Sequence, residues 1–187
     1  MMRILSGMYC GRLIKGPPKG STTRPILGRI KKSLFDIINT RIPGSRFLDL
    51  YAGTGSVGLE ALSRGAKLVV FIDNDKWCIK VITDNVKILK AEDSSRIIKL
   101  NILAELKNRG MEYDIIFIGS PYKTSEKIKL ELTVPTLKII WDQKLLSKNG
   151  LIVAQHHVKE SVTDSEGYDR FRREKYGDSF LSFYRQG

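Results

Sequence analysis

The sequence predicts an α/β fold: an open, mostly parallel sheet with helices on both faces, carrying a short basic extension at its amino terminus. Three observations carry this reading. From Arg46 onward, short apolar segments alternate with longer amphipathic ones, the pattern of consecutive βαβ units. A glycine-rich turn follows the first apolar segment, and the last twenty or so residues revert to short aromatic pieces suited to a closing hairpin. The chain has 187 residues, room for one compact domain and a small appendage. With 42% hydrophobic and 28% charged residues it can bury a core, which excludes wholesale disorder and a collagen or disulfide scaffold.

Taken in order, residues 3–14 hold Ile4, Leu5, Met8, Tyr9, Leu13 and Ile14 around Gly7 and Gly11, which predicts a small hairpin. Residues 15–25 are a loop by their proline, glycine, serine and threonine content. A helix follows, because Ile30, Leu34, Ile37 and Ile38 recur at i, i+4, i+7 and i+8; that stripe turns inward and leaves Arg29, Lys31 and Lys32 outward. Pro43 and Gly44 end it. Strands are expected near 46–51, 67–73, 95–100, 113–118 and 150–155. Helices are expected near 56–64, 75–90, 102–109 and 125–147, the last interrupted around Pro135. After Gly167, Phe171, Tyr176, Phe180, Leu181, Phe183 and Tyr184 form the closing antiparallel hairpin. The natural division is an extension over residues 1–44 and a main domain over 45–187.

The formal charge is +12, and it is unevenly spread: Met1 to Arg46 holds ten bases against the single acid Asp36, a net of +9. A basic front end on a nearly balanced body is the footprint of a polyphosphate partner, since each neutralised phosphate releases counterions. A solvated surface and a site for anionic lipid are the alternatives. The longest apolar runs, Leu68 to Ile72 and Ile115 to Ile118, are far below the roughly 18 residues of a membrane span. The opening residues lack the apolar stretch of a secretory signal. Cys10 and Cys78 lie far apart, without metal or disulfide spacing. A cytoplasmic chain without a bound metal is expected.

Phe47 to Gly58 reads as a strand entering a glycine turn that opens a helix. Gly53, Gly55 and Gly58 spell GxGxxG, and Asp73 stands at the end of the next strand, where an acid meets a ribose. Taken alone, these residues admit a nicotinamide dinucleotide and an oxidoreductase. Asp49 argues against it: a carboxylate there repels a pyrophosphate and favours an ammonium or sulfonium, both of which S-adenosylmethionine carries. At the end of the fourth strand stands Gly119-Ser120-Pro121-Tyr122, in the same crevice beyond the carboxyl ends of the strands, with Tyr122 as a platform for a base. His156 and His157 are adjacent on a strand, so they point to opposite faces and do not form a metal pair. Asp75 reads as a helix-start acid, and Ser56 and Ser63 as capping or packing residues.

These residues resemble the RsmD-like bacterial small-subunit rRNA guanine-N2 methyltransferases over nearly the whole chain. The likeness rests on RILSGMYCGRLIK at the amino terminus, on Thr23-Arg24-Pro25 followed by Arg29 to Phe35, and on Leu48 to Gly55 running on through Gly58 to Ala66. It extends to the tail from Tyr176 to Tyr184. The resemblance implies a Rossmann-like class I methyltransferase with a mostly parallel seven-stranded sheet, S-adenosylmethionine as donor, and 16S rRNA or a small-subunit assembly intermediate as the partner of a single chain.

It further implies that Asp49, Gly53 and Gly55 line the methionine part of the donor, that Asp73 holds the ribose and that Asn101 faces the adenine. Tyr51, Ala52, Thr54, Asn74 and Ile102 complete that set. Gly119, Ser120, Pro121 and Tyr122 meet the target base, and Arg3, Arg12, Lys15, Arg24, Arg29 and Lys31 hold RNA. The chain departs from the family where Gly119 and Ser120 replace Asp and Pro, where Gly28 and Lys32 replace acids, and where Gln155 replaces a glutamate. Without the Asp, main-chain carbonyls and the Ser120 hydroxyl are left to orient the amine. A weakened or silent RNA- and donor-binding homologue, and an adenine-N6 enzyme, are the competing readings.

Overall fold

The computed structural model describes residues 1–17, 26–121, 130–162 and 167–187. The extension opens with β1 (Met2–Arg3) and β2 (Leu13–Ile14), paired antiparallel with Met2 opposite Ile14, and continues into α1 (Gly28–Ile38) and a 3-10 turn over Asn39–Arg41. The main sheet and its helices follow as β3 (Arg46–Leu50), α2 (Ser56–Ser63), β4 (Leu68–Asp73), α3 (Lys76–Leu89) and β5 (Ser95–Lys99). Then come α4 (Ile102–Glu105), β6 (Tyr113–Ile118), α5 (Thr133–Asp142), β7 (Leu146–His157), β8 (Tyr168–Tyr176) and β9 (Ser179–Gln186).

The seven-stranded sheet has the order β5-β4-β3-β6-β7-β9-β8. The first five strands in that order run parallel, and β9 inserts antiparallel between β7 and β8. The chain therefore moves outward from β3 to β5 and returns to β6 beside β3. That reversal is the switch point beyond which open α/β sheets bind ligands.

The central strands are mostly apolar because both faces are covered, with Asp49 and Asp73 as the buried acids. The pleat sends Phe47, Val69, Phe71, Ile115 and Phe117 to one face, against Leu34 and Phe35 of α1, Leu59 of α2 and Ile82 and Val86 of α3. Leu48, Leu50, Val70, Ile116 and Ile118 go to the other, against Leu137 and Ile140 of α5. Ile4 and Ile14 of the hairpin belong to the first of these cores. No helix among the described residues is long and apolar enough to cross a membrane.

Several expectations need correction. The helix expected over 125–147 is confined, among the described residues, to Thr133–Asp142, and Pro135 does not break it. Pro135 is the third helical residue, where a backbone N–H has no intrahelical partner to lose. The strand expected at 150–155 starts four residues earlier, at Leu146, and the helix expected to run to 109 ends at Glu105.

Lys31, expected outward on the basic face, is buried at 4% exposure with its Nζ 3.2 Å from Glu60. Glu60 of α2 is fully buried. It accepts hydrogen bonds from the backbone of Leu5 and Ser6 at 2.9 and 3.0 Å, and its other ion pair is with Arg64 at 3.1 Å. A buried carboxylate needs countercharge, and α1 supplies it by turning Lys31 inward beside Ile30 and Leu34. The Lys31 ammonium is pulled below the usual lysine range by burial, against the pull of Glu60. Lys31 thus fastens the extension to the body.

Candidate active site

The glycine turn is a closed mesh of backbone and carboxylate contacts. Tyr51 takes a left-handed φ of 58°, rare for an aromatic residue and a mark of strain that clusters at functional sites. Its hydroxyl meets the Thr136 hydroxyl at 2.8 Å. Ala52 donates to the Ile72 carbonyl at 3.0 Å. Gly53 and Gly55 take φ values of 58° and 75°, which no side chain would accept at low cost, and the backbone enters α2 directly.

Asp73 closes the mesh. Its Oδ2 accepts from the Gly53 amide at 2.8 Å and its Oδ1 from the Asp75 amide at 2.9 Å. Its carboxyl is pushed up by burial, against those amide bonds. Asp75 caps α3, accepting from Trp77 and Cys78 at 2.6 and 3.0 Å. Leu100 donates to the Asp73 carbonyl at 3.1 Å, which brings Asn101 to the same rim. Asn101 caps α4 by accepting from Leu103 at 3.1 Å, while its own amide donates to Glu105 at 2.6 Å. Asn74 and Asn101 are exposed, whereas Ile102 and Thr54 are buried.

Asp49 lies beneath this turn at 1% exposure. Its Oδ2 accepts from the Gly58 amide of α2 at 2.9 Å. Burial, partly offset by that bond and reinforced by Asp73, pushes its carboxyl up to about 8. Among the described residues, no cation acts on it. Asp49 is thus held inside the turn rather than in solvent.

Across the switch point, Gly119 donates to the Leu50 carbonyl at 3.1 Å, so the turn after β6 is bonded directly to the strand that enters the glycine turn. Ser120 is buried at 5% exposure, and its Oγ has no hydrogen-bond partner among the described residues. Ser45 and Ser95 share that condition, but they lie at the opposite, amino-terminal ends of β3 and β5. Pro121 is exposed, and Tyr122 lies outside the described residues. A Cβ at Gly119 would stand 2.9 Å from Cε1 of Phe117, so a buried ring occupies the space a side chain would need there.

The protein family described as "Conserved hypothetical protein 95" matches residues 2–185. "Putative rRNA methyltransferase YlbH" of Bacillus subtilis is 32% identical over 99% of this chain and 99% of its own length. "Ribosomal RNA small subunit methyltransferase D" of Escherichia coli is 27% identical, covering 95% of this chain and 93% of its own. The solved structure "Putative methyltransferase yhhF from Escherichia coli" superposes with a TM-score of 0.85 at 26% identity, over 99% of this chain and 97% of that one. The chain belongs to the RsmD-like methyltransferase family. Its fold is that of the class I methyltransferases.

The residues of the RsmD-like crevice fit the expected S-adenosylmethionine. A buried carboxyl with no cation acting on it among the described residues matches a ligand bearing an ammonium and a sulfonium. A glycine turn with two left-handed glycines admits close approach, and Asp73 retains lone pairs on both oxygens for the ribose. Two residues of this RsmD-like chain escaped the sequence reading. Thr136 of α5 fixes the Tyr51 hydroxyl. Asn85 of α3, fully buried, donates to the Thr54 carbonyl at 3.1 Å and braces the glycine turn from below. The signal for Asn85 was present: it is the one polar side chain among Val81, Ile82, Val86 and Leu89 on the inward face of α3.

Of the expected basic contacts, Arg3, Arg12, Lys15 and Arg29 are exposed, and Arg24 lies outside the described residues. Arg3 donates to the Gly11 carbonyl at 2.9 Å, and Lys15 pairs with Asp84 at 2.8 Å. Lys31 is withdrawn from this surface by its pair with Glu60. His156 is buried, bonded at 2.9 Å to the Ser182 hydroxyl, and burial pulls it down to about 4. It is a neutral core residue, and no group of three or more metal-ligating side chains occurs among the described residues.

Proposed function

We propose that the chain transfers a methyl group from S-adenosylmethionine to the exocyclic N2 amine of a guanine in 16S ribosomal RNA, acting as a single chain on the RNA or on a small-subunit assembly intermediate. Residues 1–44 serve as the extension that holds RNA, through Arg3, Arg12, Lys15, Arg24 and Arg29. Two of its relatives are named as rRNA methyltransferases. The observation that carries the reading is the Gly119 to Leu50 bond, which sets the Gly119-Ser120-Pro121 turn against the donor loop.

Transfer to an exocyclic amine needs its delocalised lone pair turned toward the methyl group, so acceptors must hold its two N–H bonds. The carbonyls of Gly119 and Ser120 and the buried Ser120 Oγ are the acceptors this chain offers. Asp49, Gly53 and Gly55 orient the methionine part of the donor and Asp73 its ribose, while Tyr122 stacks on the base.

Gly119 favours a second reading, a weakened or silent homologue that still binds donor and RNA. Losing one preorganised electrostatic partner costs on the order of 10²–10³ in rate. The deciding experiment is labelled methyl transfer to small subunits lacking the modification, with nucleoside analysis of the product, for the chain itself, for Gly119→Asp and for Gly119→Asp with Phe117→Leu. N2-methylguanosine from the unaltered chain, formed faster by the double variant because Phe117 no longer fills the space, supports the proposal. N6-methyladenosine overturns the guanine assignment, and silence in all three leaves the binding homologue.

A further inference from the structure

Beside the glycine turn, an open cavity of about 450 Å³ lies between α3 and the segment that follows β2. Its walls are Trp77, Lys80, Val81 and Asp84 from α3, and Met1, Lys15 and Gly16 from the extension. The four α3 residues fall at i, i+3, i+4 and i+7, a single face of the helix. The volume lies within the roughly 300–1,000 Å³ common to small-ligand sites.

The extension wall is held in place. The Lys15 amide donates to Asn85 Oδ1 at 2.7 Å, and Asn85 Nδ2 donates back to the Lys15 carbonyl at 3.1 Å. The same Nδ2 donates to the Thr54 carbonyl of the glycine turn. One fully buried amide thus sets both the cavity wall and the donor loop. The Lys15 ammonium is paired with Asp84 in a contact that is half exposed on the lysine side, an arrangement worth little in water and easily exchanged for a phosphate.

We propose that this cavity is a second nucleotide subsite for the RNA substrate, separate from the place where the target base meets the Gly119 turn. A base stacks on Trp77, and its phosphates lie against Lys80 and Lys15. The chemistry is that of a nucleoside monophosphate: a half-buried aromatic face beside two ammonium groups, at the root of a segment whose first 46 residues carry a net +9. Stacking on an aromatic side chain tolerates any sequence, so the subsite adds affinity and register without selecting the target. Asn85 fixes the wall of this subsite and the glycine turn in one frame. The inference rests on the RNA reading above. The one competing nucleoside is the adenosine of the donor itself.

The test uses tryptophan emission. The chain has two tryptophans, so Trp141→Phe leaves Trp77 as the sole reporter. This protein is titrated with a twelve-nucleotide single-stranded RNA and, separately, with S-adenosylhomocysteine, while binding is also followed through a label on the RNA. The expected result is quenching by RNA and none by S-adenosylhomocysteine. In the otherwise native chain, Trp77→Ala weakens RNA binding about tenfold, Trp77→Phe restores most of it, and S-adenosylhomocysteine affinity stays unchanged in both. RNA that binds without quenching and with equal affinity in Trp77→Ala removes the subsite while leaving the RNA reading intact. Quenching by S-adenosylhomocysteine assigns the cavity to the donor and overturns the proposal. Absence of RNA binding by every form overturns the subsite, while methyl transfer to small subunits tests the RNA reading separately.

Discussion

The two halves of the crevice are built differently. On the donor side every conspicuous polar group is engaged within the chain: Asp49 with Gly58, Asp73 with Gly53 and Asp75, Asn85 with Thr54 and Lys15. On the acceptor side a glycine stands where a side chain is expected, and a buried hydroxyl lacks a partner among the described residues. The donor half is rigid before any ligand arrives, since each contact is fixed by another. The acceptor half is complete only when something supplies the missing partner. That contrast separates what this chain preorganises from what its substrate must bring.

The largest expected effect tests whether the extension belongs to the rigid half. Lys31→Ala removes one of two cations from the fully buried Glu60. Breaking a buried pair costs about 3–5 kcal/mol, and the lower end applies because Arg64 remains in place. Urea denaturation measures the loss. The same variant, studied below its unfolding midpoint, keeps the salt dependence of RNA binding unchanged, whereas Arg29→Ala lowers the slope by about one. A reduced slope in Lys31→Ala would return that lysine to the RNA surface.

A smaller effect compares the halves glycine by glycine. A Cβ at Gly58 would lie 2.3 Å from Phe71 Cε1 and 2.8 Å from Val69 Cγ1. Helix propensity alone favours Gly58→Ala by up to about 1 kcal/mol, but overpacking of about 1–3 kcal/mol reverses the sign, and the shift of α2 also disturbs the Asp49 contact. Gly119→Ala meets a single ring edge at 2.9 Å and should fall at the lower end of that range, about 1 kcal/mol. Thermal melts and donor affinity, measured on both variants, check the order. Equal losses would erase the distinction between the halves.

The parallel sheet was legible in the sequence because β4 and β6 are buried on both faces and carry unbroken apolar runs, with GxGxxG marking where β3 turns into α2. The final hairpin was legible from its aromatic residues. Pro135 misled because a proline is read as a break unless its position within the first turn is known. Lys31 misled for a deeper reason. Four apolar positions define the stripe of α1, but what lies opposite the stripe depends on Glu60, thirty residues on, and no local pattern records that a buried carboxylate awaits a cation there. The Asn85 brace is of the same kind: its polarity on an apolar face was visible, its two partners were not. Asp49 was selected for its charge, and the structure adds that burial makes this charge conditional.

That condition gives the smallest and most specific effect, in a change of slope with pH. With its carboxyl pushed up to about 8, Asp49 is largely protonated at pH 7 in the free protein. A cationic donor favours the ionised form, so binding expels a proton, and affinity should rise with pH between about 6 and 8 by up to tenfold per unit. The stability relation has the opposite sign. A carboxyl whose folded value exceeds its unfolded value contributes stability that is present in acid and lost as pH rises through about 8. Asp49→Asn keeps an oxygen for the Gly58 amide and removes the titration. Calorimetry in buffers of differing ionisation enthalpy should find close to one more proton released by the native chain than by Asp49→Asn at pH 7. The ammonium of the donor titrates equally in both and cancels in the comparison. Identical proton release would mean that Asp49 is neutral with and without donor, and that the rigid half holds its ligand by shape and hydrogen bonds alone.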